Sequence, residues 1–185
     1  MSALADGAAM AALASAAVAA FAAFLFARAA LHKGWDFTAF TGFVQDYALL
    51  PERLVKPASA ALIGAEGAVV GLMLLPGGRA FGLILAAALV ALYAVGMGVN
   101  LARGRRHVEC GCGGAVQPIT PALLVRNATL AGLFLLGAAL PAVGLGLAET
   151  LAVLAAALIA FAGYVMADQL LSNAAYLVRR EQGTH

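Results

Sequence analysis

Cys110 and Cys112, the two cysteines of this chain, stand one glycine apart in the polar run Arg103-Gly-Arg-Arg-His-Val-Glu-Cys-Gly-Cys-Gly-Gly114. Two thiols at this spacing can close a small disulfide ring. Such a ring departs from the preferred disulfide geometry, and strain makes it easier to reduce. Gly111 has no Cβ and relaxes the backbone restrictions that would oppose closure. Nearby cations and a helix N-terminus favour thiolate over thiol, and His107, Arg105 and Arg106 lie just upstream, with a helix start downstream. The pattern reads as thiol–disulfide exchange, with Cys110 and Cys112 as the reacting pair and His107 and Arg106 tuning the thiolates. His107, Cys110 and Cys112 also suit Cu(I) or zinc, and an inert structural pair is the third alternative. Three donors with no second cluster are a thin ligand set, so no metal is assigned.

Four further polar residues lie in apolar surroundings. Glu66 sits in the middle of an apolar run, where a charge is costly and usually faces a bundle interior on a proton or ligand path. It is expected to be protonated or to pair with Arg126, Asn100 or His32; a plain interhelical hydrogen bond is the alternative. Arg126 and Asn127 lie at least one turn inside another apolar run, and Asn100 lies near the end of a third. Arg126 could snorkel outwards, pair with Glu66 or hold a substrate anion. Asp168, Gln169 and Asn173 read as an ordinary polar helix exit and receive no role.

The elements that carry these residues belong in a membrane. Of 185 residues, 64% are hydrophobic and 11% charged, with a mean hydropathy of +0.96. Soluble domains carry roughly 25% charged residues, so too few charges are present to cover a globular surface. The net charge of +2 and the lack of a solvated basic stripe argue against nucleic acid. Five stretches reach spanning length: Gly7–Leu31, Pro57–Leu75, Arg79–Leu101, Pro121–Leu140 and Leu147–Leu171. The first lacks the Lys or Arg that precedes a signal-peptide core and reads as a retained helix. Between the first and second stretches, Phe37, Phe40, Phe43, Val44, Tyr47 and Leu50 recur at helical spacing. They predict a short amphipathic helix in the interface, with Trp35 and Tyr47 at headgroup depth, either forming a lip over the mouth of the bundle or serving as an ordinary aromatic-belt linker. Gly64, Gly67 and Gly71 predict close helix approach. The expected fold is all-α: one integral membrane domain over residues 1–185, a polytopic bundle of about five transmembrane helices plus the interfacial helix.

An ordered set of segments then resembles the MauE family of methylamine utilisation membrane proteins, within the wider MauE/DoxX-like group. The set comprises His32-Lys33…Asp36, Tyr47-Ala-Leu-Leu-Pro51, Glu66 with Gly71-Leu-Met-Leu-Leu, Asn100-Leu-Ala-Arg-Gly104, Cys110-Gly-Cys-Gly113 and Arg126-Asn127. It covers most of the chain. Where that family often has Phe after the second cysteine of the pair, this chain has Gly113-Gly114, which loosens the loop. The resemblance implies a part in maturing the methylamine dehydrogenase small subunit, a periplasmic, disulfide-rich protein carrying tryptophan tryptophylquinone. It also implies a thioredoxin-like periplasmic partner of the MauD kind. The layout is similar to vitamin K epoxide reductase as well, in which a helical bundle presents a cysteine pair at the start of its fourth helix. This chain lacks that family's shuttle pair, so a relay would run directly between Cys110/Cys112 and a partner. A quinone is a possible cofactor by analogy alone.

Charge and resemblance disagree on orientation. With five spans, one face carries Arg28, Lys33, Arg53, Lys56, Arg103, Arg105, Arg106, Arg126, Arg179 and Arg180, and the other Arg79 alone. The positive-inside rule puts the cysteine loop in the cytoplasm. The resemblance puts it in the periplasm, where substrate disulfides form, and this is the orientation expected here, in a bacterial inner membrane. Two other functions remain open: a non-catalytic assembly or export factor for the dehydrogenase subunit, and a small-molecule or metal transporter using Glu66 and Arg126.

Overall fold

The computed structural model describes residues 2–105, 108–109 and 117–182, with side chains placed for residues 7–174 within those ranges. Arg106, His107, Cys110 and Cys112 therefore lie outside the described residues. Six helices follow one another: α1 (Ser2–Trp35), α2 (Phe37–Asp46), α3 (Glu52–Leu74), α4 (Arg79–Ala102), α5 (Pro121–Ala139) and α6 (Leu147–Gln182). All except α2 are long and apolar enough to cross a bilayer. This is the all-α bundle expected from the composition, with the short helix between the first two spans.

The helix ends have local causes. Asp36 caps α2, its Oδ1 accepting from the Ala39 N–H at 2.9 Å, so the chain breaks direction directly after α1. Ala48 takes a positive φ of 49° and lets the chain turn from α2 toward Pro51. Between α3 and α4, Gly77 has φ +76°, and a Cβ on Gly78 would lie 2.2 Å from the Leu72 carbonyl oxygen. Only glycines fit that turn.

The long helix α1 is central, packing against α3, α6, α5, α4 and α2. Its buried residues Ala12, Ser15, Ala19, Ala22, Phe26, Ala29 and Lys33 recur at alternating three- and four-residue steps, a single stripe along one helix face. Phe134 of α5 fills the centre, with ring centroids 6.3 Å from Phe21 and 6.2 Å from Phe26. Lipid offers no hydrophobic drive between helices, so such packing and interhelical hydrogen bonds hold the bundle. One of those bonds runs from the Ser15 hydroxyl to the Gly137 carbonyl at 2.9 Å.

Three expectations need correction. First, α1 runs to Trp35 rather than Leu31, which makes Lys33 part of a spanning helix. Second, Gly64, Gly67 and Gly71 face outward, with nothing within 4 Å of a notional Cβ; the tight approach falls instead at Gly137, where a notional Cβ would lie 2.8 Å from the Val18 side chain. The small residues that matter sit where two backbones cross, and periodicity within one helix does not reveal the crossing. Third, Trp35 is exposed as expected, but Tyr47 turns inward, its ring 3.3 Å from the Cβ position of Gly96.

These contacts predict opposite outcomes for two alanine substitutions. Gly78→Ala should lower stability by about 1–3 kcal/mol through forced overpacking. Gly64→Ala should be neutral or stabilising by up to about 1 kcal/mol, the helical advantage of alanine over glycine. Thermal unfolding of the two purified variants in one detergent checks both.

Candidate functional site

Three polar clusters interrupt the apolar interior. The first joins α1, α3 and α4. Lys33 Nζ and Glu66 Oε1 form an ion pair, with side-chain exposures of 2% and 0%. The Tyr93 hydroxyl donates to the same Glu66 oxygen at 2.6 Å and accepts from Lys33 Nζ at 3.3 Å. The ammonium also lies 5.0 Å from the Phe40 ring centroid and 4.7 Å from that of Tyr93, distances at which aromatic faces attract a cation. The partner of Glu66 is thus Lys33, not Arg126, Asn100 or His32. The other carboxylate oxygen, Oε2, is buried and has no hydrogen-bond partner among the described residues. Glu66 lines a void of about 40 Å³ together with Arg126, Asn127 and Tyr164, room enough for a water molecule.

The second cluster joins α5 and α6 to the segment before α5. Arg126 pairs with Asp168, and Gln117 donates to the same Asp168 oxygen at 3.1 Å. Arg126 Nε donates to Asn127 Oδ1 at 3.3 Å, and Asn127 Nδ2 donates to the Val90 carbonyl of α4 at 3.2 Å. Asp168 is therefore a buried ion-pair partner and not a solvated helix exit. Unpaired buried charge is costly in lipid, so each of these charges has its counterion beside it.

The third cluster closes one end of the bundle. Asn100 Nδ2 donates to the Tyr47 carbonyl at 3.1 Å, and its Oδ1 accepts from Arg105 at 3.2 Å. Arg105 reaches the carbonyls of Asp46 at 2.8 Å and Tyr47 at 3.3 Å, and Arg103 that of Ala48 at 3.3 Å. The last carbonyls of a helix have no partner within it, and these arginines supply one at the end of α2.

The described flanks of the cysteine segment, Val108–Glu109 and Gln117–Ile119, lie between the second and third clusters in sequence. Its two flanks meet at an antiparallel bridge between Glu109 and Pro118, and the Ile119 N–H donates to the Val108 carbonyl at 3.0 Å. Val108 and Ile119 are buried with Met97 and Leu123, against Tyr47 and Tyr93. Gln117, bonded to Asp168, ties the downstream flank to α6. The ends of the segment that holds Cys110 and Cys112 are thus drawn together and fastened to the bundle.

Of the polar residues expected from sequence, Glu66 and Arg126 lie in separate ion pairs, facing one small void, and Asn127 joins the cluster of Arg126. Asn100 belongs to the third cluster. Tyr93 and Gln117 were not named by the sequence reading, Asp168 was given no role, and Lys33 entered only through the resemblance and the charge count. A signal existed for Lys33, because it continues the stripe of Phe26 and Ala29 at the next position of that face. Among the described residues, no group of three His, Cys, Asp or Glu residues could hold a metal ion.

A multi-pass membrane bundle with paired charges in its interior and a fastened polar loop at one end is the class that fold and site define. The description "Methylamine utilisation protein MauE" matches residues 10–140, and the chain belongs to that family. It is 33% identical over 150 residues to methylamine utilization protein MauE of Methylophilus methylotrophus, covering 78% of this chain and 79% of that one. It is 36% identical over 126 residues to the protein of that name from Paracoccus denitrificans, covering 64% and 67% of the two chains. No solved structure matches.

The first cluster predicts a non-additive pair of substitutions. Lys33→Met, which strands a buried carboxylate, should destabilise by about 3–5 kcal/mol. Lys33→Met combined with Glu66→Gln should recover much of that loss. Thermal unfolding of the single and double variants in a common detergent measures the coupling.

Proposed function

We propose that this chain acts in methylamine utilisation as a membrane thiol–disulfide redox protein, exchanging through Cys110 and Cys112. The observation that carries the reading is the fastening of the cysteine segment. Its flanks are bridged at Glu109 and Pro118 and buried at Val108 and Ile119. Gln117 is held by an ion-paired carboxylate. A segment anchored in this way can present reactive sulfurs to a soluble partner without losing its place in the membrane. Exchange with a protein dithiol runs in two steps. One thiolate of the dithiol attacks a sulfur of the oxidised pair, forming a mixed disulfide and releasing the other cysteine as thiolate. The second thiolate of the dithiol then displaces the remaining cysteine, so two electrons pass to Cys110 and Cys112 and a disulfide forms in the partner.

The partner in this reading is a thioredoxin-like protein, and the client is the methylamine dehydrogenase small subunit. The loop faces the periplasm, from a bacterial inner membrane. Charge asymmetry points the other way, but several of the cations behind it have structural work. Lys33 and Arg126 pair with carboxylates, and Arg103 and Arg105 bind backbone carbonyls. Their number on one face reflects fold construction as well as membrane orientation.

Cys110→Ser and Cys112→Ser should each abolish production of active methylamine dehydrogenase in cells, while the variant proteins accumulate normally in the membrane. Active enzyme at wild-type level in both variants would overturn the redox reading in favour of a non-catalytic assembly role. Labelling intact cells with a membrane-impermeant maleimide should succeed at these cysteines only after external reduction. Labelling that appears only after lysis would place the pair in the cytoplasm.

A further inference from the structure

A cavity of about 600 Å³ opens between α2, α3 and α4, with Lys33 of α1 in its wall. Its lining is apolar apart from Lys33 and the phenols of Tyr47 and Tyr93.

Four observations define what could occupy it. The first is access. The rim residues Leu92 and Val95 are 54% and 62% exposed on the spanning helix α4, so the opening faces the hydrocarbon of the bilayer and an occupant comes from the lipid phase. The second is charge. The positive charge of Lys33 is already balanced by Glu66, and burial pushes the Tyr47 phenol up to about 12, which keeps it neutral at physiological pH. A charged occupant would bring an uncompensated charge into lipid, which is strongly unfavourable. The third is hydrogen bonding. A lysine ammonium has three N–H bonds; two go to Glu66 and Tyr93, and the third has no acceptor among the described residues. The fourth is shape. Phe40, Phe43, Tyr47 and Tyr93 supply aromatic walls, which suit a flat ring. Gly96 leaves room beside Tyr47, since a Cβ there would press on its ring at 3.3 Å.

We propose that this cavity binds a neutral, lipid-soluble ring compound bearing a carbonyl oxygen, the quinone class. The carbonyl accepts the third N–H of Lys33, the ring lies among the four aromatic side chains, and the alkyl tail leaves past Leu92 and Val95 into the bilayer. The volume falls within the 300–1,000 Å³ typical of ligand pockets, and apolar walls with few fixed polar groups are their usual construction.

The test uses the full-length chain carrying Cys110→Ser and Cys112→Ser, in nanodiscs of one defined phospholipid, so that thiol chemistry contributes no signal. A fully substituted benzoquinone with a decyl tail is titrated by equilibrium binding, and dioleoylglycerol is titrated in a separate arm. Saturable binding of one quinone per chain is expected, with dioleoylglycerol failing to compete. Ala61→Phe fills the cavity from α3 without touching the ion pair and should remove binding while leaving thermal stability unchanged. Lys33→Met with Glu66→Gln, which leaves no stranded charge, should weaken binding by roughly tenfold, as expected for a lost charged hydrogen bond. Absence of saturable binding overturns the proposal. Equal competition by dioleoylglycerol marks a general lipid groove and also overturns it. Unchanged affinity in Ala61→Phe would place the ligand elsewhere, with the same consequence. None of these outcomes bears on whether Cys110 and Cys112 exchange disulfides.

Discussion

The ion pair between Lys33 and Glu66 constrains more of this protein than any other contact. Neither charge is tolerable alone in a lipid-facing bundle, so the helices that bring them must meet at one depth. That requirement carries α1 on as helix to Trp35 and sets it against α3. Tyr93 completes the arrangement from α4. Phe40 covers the ammonium from α2, which gives the short helix a fixed seat instead of a loose position on the membrane surface. The lip expected over the bundle mouth is thus a wall of the cavity, held from within by a buried cation.

A second charge pair does similar work at the other side of the interior. Arg126 and Asp168 bring α5 and α6 together, and Gln117 adds the segment before α5 to the same carboxylate. The cysteine loop is therefore coupled to the bundle by a charge-assisted hydrogen bond that reaches a spanning helix. Between the two pairs lies the small void lined by Glu66, Arg126 and Asn127. The interior is a chain of polar stations separated by apolar packing, and lipid makes each station depend on its neighbours.

Membership of the MauE family gives the chain a metabolic setting, and the geometry separates two regions within it. One is the pair of flanks, Val108–Glu109 and Gln117–Ile119, on either side of the segment to which the redox role is proposed. The other is a lipid-facing cavity whose one charged wall group is already neutralised. Tyr47 and Tyr93 line the cavity and also pack against the cluster formed by Met97, Val108, Ile119 and Leu123.

Composition and periodicity by themselves determined the solvent, the five spans, the short amphipathic helix and the segments that identify the family. These follow from local chemistry: apolar length against bilayer thickness, and helical spacing of aromatic residues. The spacing of Cys110 and Cys112 was legible in the same way, since it is a property of the chain itself, and the redox role proposed for the pair rests on it. Even Lys33 was partly legible, as the last member of the stripe through Phe26 and Ala29. Partner choice was not legible. Asp168 has the same composition around it whether it meets water or Arg126, and Gly64 looks like an interface residue until the helix is rotated. Glu66 needed a partner, yet the three groups offered by sequence, Arg126, Asn100 and His32, were all wrong, and only the crossing of α1 with α3 selected Lys33. Which face of a helix meets which neighbour is settled by three-dimensional packing between segments distant in sequence, and no period within one segment encodes it.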